Sequence, residues 1–327
     1  MPAGSSPALR ARAIQVLVLA TAFWGLSFPV MKTLSAAQVA DGAADSWFLA
    51  STCVVVRFGV SALAMLALAL AAGSLPRFTR LEWEQGLGLG LFGGLGLLLQ
   101  VDGLHYTTAS TSAFLTQGYC VLLPLWTALR DRRWPNRGVV LSCSMVVAGV
   151  MVLAEMDWRR FHLGRGELET ILASVLFTGQ ILWLERPRYA GNNVTHFSLA
   201  MFAIIALVCL PVALASTAVA GDWLRAYDSV PEWGLMGILI GPCTLGAYLM
   251  MNHWQRHVPA THAGLIYCLE PVCTSVYALF LPGWLSLWAG VAYGNERLTQ
   301  TLLIGGGLIT LANILLHLPA RRRDETA

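Results

Sequence analysis

Apolar residues in this chain run in long unbroken stretches, not in alternation. Ten such stretches can be cut from the sequence, each near the roughly 20 residues a helix needs to cross a hydrocarbon core. In the first half they are Ala13–Leu34, Trp47–Ala72, Trp83–Leu104, Thr107–Leu129 and Gly138–Glu155. In the second they are Gly166–Glu185, Thr195–Ala220, Pro231–His253, Ala260–Leu281 and Leu298–Leu318. Continuous runs of this length predict helices and exclude a membrane barrel, whose strands alternate outward-apolar with inward-polar residues. The expected fold is an all-α membrane protein of ten transmembrane helices.

Composition agrees with the pattern. Charged residues make up 12% of the 327 and hydrophobic ones 56%, against about 25% charged in soluble domains. The lipid bilayer is therefore the expected partner, and no basic face suited to nucleic acid is visible. Arg10 and Arg12 precede the first run as in a signal peptide, but the run continues to Lys32, which predicts an uncleaved first span. With the N-terminus cytoplasmic, fourteen Lys and Arg fall in inside segments and six in outside ones. The positive-inside rule then places both termini in the cytoplasm. The loop from Met156 to Arg165 runs against that trend. The seven cysteines all lie within apolar runs and form no CxxC pair. They are expected to pack as small apolar groups rather than bind metal.

The two halves resemble each other. A shift of 148 residues sets Glu84, Gly86, Leu87, Leu91, Gly93 and Leu97 on Glu232, Gly234, Leu235, Leu239, Gly241 and Leu245. A shift of 151 sets Ala109–Val121 on Ala260–Val272, small or aliphatic residues mostly facing their like. The chain then divides into residues 1–155 and 156–327, five spans each. An odd number of spans inserts the second copy upside down, giving two inverted five-helix repeats. In that architecture the binding site lies near the midplane, between the halves.

Depth selects candidate residues. Glu270 is the one carboxylate in the middle of an apolar run, about 15 Å along its helix. An ionisable group there usually faces a protein or water-lined interior and has a role. Pro271 follows at once and should bend the helix. Other polar or aromatic residues near mid-span are Trp24 with Ser27 a turn on, Gln117 and Tyr119, Thr178 and Gln180, and Tyr267. Tyr248 and Asn252 lie toward the end of the eighth span. Each amide and hydroxyl has two open readings, helix-to-helix hydrogen bonding or substrate contact. Glu270 has three: an ion pair with Arg57 in the second span, a seat for a cationic substrate group, or a proton carrier. Asp102 and His105 flank the end of the third span, as gate or cap. His253 and His257 lie four apart without further ligands, so no metal and no cofactor is expected.

Three short signatures occur in one order along the chain. They are AFWGLSFPVMK in the first span, GLHYTTASTSAFL across the third and fourth, and LEPV followed by GNERLT. Together they resemble the EamA family of the drug/metabolite transporter superfamily. The resemblance implies a ten-helix inner-membrane carrier built of two inverted repeats around a central cavity. An arginine like Arg57 is often found in that family's second span. Two departures stand out. An extra stretch around PGWLSLWAGVAYG separates LEPV from GNERLT, and Cys120 stands where proline is expected, with Pro124 a turn later. Pro282 and Gly283 should end the ninth helix, and Trp284, Trp288 and Tyr293 suit a short interfacial helix.

The expected function is a secondary active transporter, an exporter of a small metabolite or amino-acid-like solute by alternating access, with proton coupling as one mode. A bacterial inner membrane is the expected location. No P-loop occurs, which argues against direct use of ATP. The alternatives are an intramembrane enzyme or a non-transporting membrane partner. GxSxG, HExxH and paired aspartates within spans are all absent from the sequence, so no enzyme is expected. No feature of the sequence sets the oligomeric state.

Overall fold

The computed structural model describes residues 7–40, 45–73, 76–106, 112, 115–153, 164–219 and 221–317. The described residues are helical or irregular, with no strand among them. Helix α1 is Pro7–Ala40, α2 Ser46–Ala71, α3 Arg80–Tyr106, α4 Tyr119–Asp131, α5 Arg137–Leu153, α6 Arg165–Leu184 and α7 Val194–Ala215. Next come α8 Val230–Ile240 and α9 Ala247–Trp254, joined by a π-helical turn over Gly241–Gly246. The chain ends with α10 Ala260–Tyr267, α11 Glu270–Ala278, α12 Leu281–Ala289 and α13 Gln300–His317. Six helical stretches are long and apolar enough to cross a membrane: α1, α2, α3, α6, α7 and the run Val230–His257. The bent pair Ala260–Ala278 and Leu281–Ala289 makes a seventh, and two shorter apolar helices lie at Arg137–Val152 and Gln300–Leu315. This is a multi-pass membrane protein. The start of the expected fourth span and the loop from Met156 lie outside the described residues.

Three expected spans differ in detail. Ala13–Leu34 is the centre of a 34-residue helix, about 51 Å long, which overreaches a core of about 30 Å. The eighth span loosens into the π turn at Pro242, whose ring removes a backbone donor. The ninth is two helices broken at Cys268–Leu269, just before Glu270 and Pro271. The added stretch forms α12, bent by 64° from the preceding segment, with Trp284 and Trp288 exposed.

Close packing follows where glycine and proline fall. Helix α3 lies against α6 and α7, α2 against α7, and α5 against α13; α1 packs on α8, α9, α10 and α11. In α1, Pro29 cannot donate to the carbonyl of Gly25, four residues back. The hydroxyl of Thr274 on α11 donates to that carbonyl at 3.2 Å. Gly25 permits the approach: a Cβ there would stand 2.7 Å from Cβ of Cys273 and 3.0 Å from the Thr274 backbone nitrogen. The same device recurs in α4. Pro124 releases the carbonyl of Cys120, and the thiol of Cys143 on α5 donates to it at 3.3 Å. The Cys143 thiol, expected only to pack, thus makes a hydrogen bond, while the Cys120 side chain is buried.

Two helix starts match. Thr79 and Glu82 exchange hydrogen bonds of 2.8 and 3.2 Å ahead of α3. Ser229 and Glu232 do so at 3.0 and 3.4 Å ahead of α8. These capping boxes, each followed by tryptophan (Trp83, Trp233), stand 150 residues apart. That register differs by two from the expected 148. Leucine and glycine recur so often here that their coincidences fix a helix's register less well than a cap does.

The Gly25 contact yields a test. Gly25→Ala must push α1 off α11 and is expected to cost about 1–3 kcal/mol. Gly237→Ala, with nothing within 4 Å of its new methyl, is expected to be neutral or stabilising by up to about 1 kcal/mol. Thermal unfolding in detergent, compared between the two variants, reads the difference in sign.

Candidate functional site

The centre of the bundle holds a cavity of about 80 Å³ walled by both halves of the chain. That is room for several waters, well below the roughly 300–1,000 Å³ of drug-sized pockets. From the first half come Trp24, Ser27, Phe28 and Met31 of α1, Arg57 of α2, Leu97 and Gln100 of α3, Thr116, and Tyr119 of α4. From the second come Phe177, Gln180 and Ile181 of α6, Tyr248 and Met251 of α9, Tyr267 of α10 and Glu270 of α11.

Aromatic edges build one wall. Trp24 meets Tyr248 and Tyr267 edge to face, with ring centroids 5.3 and 5.2 Å apart. Phe58 and Phe202 back Tyr248 at 5.5 and 6.1 Å. Such pairs add about 0.5–1.5 kcal/mol each beyond burial and hold the rings at fixed angles. The Tyr267 hydroxyl donates to Gln255 at 2.8 Å, and Gln255 in turn donates to the carbonyl of Ile181 at 3.0 Å. Gln180 gives its amide to the carbonyl of Leu89 at 3.2 Å, joining α6 to α3. The indole N–H of Trp24 is buried without an acceptor.

Arg57 is 4% exposed, and the π turn makes that tolerable. Helix widening there turns the carbonyl of Cys243 and the hydroxyl of Thr244 toward α2. Arg57 donates Nη2 to Cys243 O at 2.8 Å and Nε to Thr244 Oγ1. Its remaining nitrogen, Nη1, meets only the thioether of Met31 at 3.9 Å, a weak acceptor. The Phe58 ring lies beneath the guanidinium, 5.5 Å from its centre.

Glu270 opens α11, where the first backbone N–H groups of a helix favour negative charge. Pro271 behind it leaves the Tyr267 carbonyl without its helical donor. The direct ion pair with Arg57 is not formed. Arg57 is the cation that acts on Glu270, yet its guanidinium is held by the π turn, whose acceptors the sequence pattern does not announce. The cavity thus carries one carboxyl and one guanidinium, both facing it and unjoined.

The other expected residues divide. Trp24, Ser27, Tyr119, Gln180, Tyr248, Tyr267 and Glu270 line this cavity with Arg57. Gln117 instead borders a separate, almost wholly aliphatic pocket with Val146, Val150 and Ile171. Thr178 turns back to the carbonyl of Ser174 at 2.8 Å. Asn252 donates to Ser198 at 2.9 Å, tying α9 to α7. Thr178 and Asn252 point their polar groups to other neighbours, and Gln117 lies in the turn before α4. Phe28, Met31, Gln100, Thr116 and Phe177 were not foreseen. Gln100 donates to Thr116 at 3.2 Å across the cavity edge, and a helical-face pattern through Leu97 and Gln100 was the available signal.

Known proteins bear on this geometry. A curated relative from Archaeoglobus fulgidus (strain ATCC 49558 / DSM 4304 / JCM 9628 / NBRC 100126 / VC-16), described as an uncharacterized transporter, is 24% identical over 306 residues. The match covers 92% of this chain and 84% of the relative. A solved structure, described only as the crystal structure of a protein, superposes with a TM-score of 0.67 at 21% identity. It covers 96% of this chain and 99% of that one, and so has the same fold. Residues 11–154 match the model of the EamA-like transporter family. That match takes in the AFWGLSFPVMK helix and the Arg57 span, so the first half of the chain is similar to EamA-like transporters.

Proposed function

We propose that this protein is a secondary transporter that exports a small amino-acid-like zwitterion by alternating access across a bacterial inner membrane. The observation that carries the reading is the carboxyl of Glu270 and the guanidinium of Arg57, facing one aromatic-walled cavity without touching. A solute ammonium suits Glu270. A solute carboxylate suits Arg57 Nη1 and the unpartnered indole N–H of Trp24. Tyr248, Tyr267 and Phe28 offer an apolar surface to a side chain. Between solutes Glu270 takes a proton, and since proton and ammonium exclude each other there, export is coupled to proton entry. The cavity is contracted around this centre, so loading requires the halves to part.

The repeat reading has independent support. In the proposal the chain is ten spans, five in residues 1–155 and five in 156–327, related by a pseudo-twofold axis in the membrane plane. Helix α3 ends beside the start of α2, where Ser46 and Tyr106 hydroxyls meet at 2.9 Å. The matching span ends beside the start of α1, where Arg12 lies over the Trp254 ring at 5.3 Å. Starts of successive antiparallel spans lie at opposite ends of a bundle, so the two matched helices run in opposite senses. The packing α3 on α6 is then mirrored by α8–α9 on α1, while α2 on α7 and α5 on α13 map onto themselves. The excess of Lys and Arg in alternate connections supports cytoplasmic termini.

Counterflow in proteoliposomes loaded with an amino-acid panel tests the reading. Losing one charge-assisted contact costs about 1.5–3 kcal/mol, so Glu270→Gln is expected to weaken solute exchange about 10- to 100-fold and to abolish solute-driven pH change. Unaltered exchange in that variant, at normal expression, would sink the proposal. Arg57→Lys keeps the charge but loses the planar fork. It is expected to raise the KM for zwitterions about tenfold or more while leaving neutral amines, if carried, unaffected. Recovery of intact solute separates a carrier from an intramembrane enzyme.

A further inference from the structure

A second group of charges lies away from the cavity, where α3 ends and α6 begins. Arg165 donates Nη2 to Asp102 at 2.6 Å and Nε to Glu169 at 2.7 Å. Its third nitrogen reaches the Tyr106 hydroxyl at 2.7 Å, and Tyr106 and Trp47 rings flank the guanidinium. The side chain of Asp102 is wholly buried and that of Glu169 is 12% exposed. One guanidinium here faces two carboxyls. Each carboxyl has one oxygen on the arginine and one buried oxygen, Asp102 Oδ1 or Glu169 Oε2, with no donor at all. The two carboxyls thus sit side by side on Nη2 and Nε, along one edge of a single guanidinium.

From this geometry we infer a proton-binding site: Asp102 and Glu169 hold one proton between them. Two ionised carboxylates sharing one guanidinium repel, and two buried acceptors without donors are costly. A single proton on one carboxyl, donated to the other, satisfies both orphan oxygens and brings the site to zero net charge with Arg165. The proton comes from hydronium in the solvent that reaches the half-exposed arginine: its O–H bond breaks, a carboxyl O–H forms and water is left. Among the described residues, the titratable groups facing the pair are Arg165 of α6 and Tyr106 of α3, while α2 presents the Ser46 hydroxyl and the Trp47 ring. The site joins α3, in the first half of the chain, to α6, in the second. Its occupancy therefore sets how firmly the halves hold together at that end.

Infrared spectroscopy on protein in nanodiscs tests this in the Glu270→Gln background, which removes the central carboxyl. A component of the protonated-carboxyl C=O stretch is expected near neutral pH. It should disappear in both Glu270→Gln/Asp102→Asn and Glu270→Gln/Glu169→Gln. Raising the pH of Glu270→Gln alone should convert the same component to carboxylate absorption. A C=O region unchanged by both second substitutions, or flat in the pH-difference spectrum, overturns the inference. Neither readout depends on solute transport, so failure of the proton site and failure of the carrier proposal are separable.

Discussion

A backbone carbonyl released inside a bilayer has no water to turn to, and this constraint organises the structure. The chain interrupts its own helices at several prolines and must answer each interruption from a neighbour. Pro29 releases Gly25, and Thr274 answers; Pro124 releases Cys120, and Cys143 answers. At Pro242 the relation is reversed. The interruption opens a π turn, and its free acceptors are what allow a buried guanidinium to exist on α2. Helix breaks here join helices to one another, and those joints surround the cavity.

The same economy explains the placement of charge. Arg57 is held by dipoles rather than by an anion, so its field is not cancelled by a permanent partner. Glu270 sits at a helix start with its own partial positive charge beneath it. A carboxyl and a guanidinium in one small cavity would ordinarily close on each other. The anchoring of the arginine to Cys243 and Thr244 keeps them apart, and separation leaves both open to a third molecule.

Much of this was readable from the chain. Long apolar runs gave the helices, and the isolated Glu270 with Pro271 marked the break in α10–α11. Trp24, Tyr248 and Tyr267 were chosen by depth and prove to touch. The misses have a common cause. Depth along a helix is legible in sequence, but rotation about its axis is not, unless a polar face is present. Thr178 and Gln180 are two residues apart, about 200° around the helix; only the second faces the cavity. Gln117 precedes α4 in a tight turn, where helical phase does not apply. The partner of Arg57 was sought among acids because a buried charge suggests a counter-charge, whereas a widened turn supplies the same stabilisation with neutral groups.

The repeat register sharpens the contrast between the ends of the bundle. At the spacing of the two capping boxes, 150 residues, Asp102 corresponds to Asn252. Both residues are buried and both tie their helix to a neighbour, α3 to α6 and α9 to α7. One does so with a carboxylate on a guanidinium, the other with an amide on a hydroxyl. An amide both donates and accepts there, whereas a carboxylate only accepts. In the proposed repeat, matching positions are therefore chemically unequal. An alternating-access carrier with two equivalent ends has no intrinsic preference for either open state. In the proposed carrier, a charged tie at one end and a neutral one at the other supply such a preference.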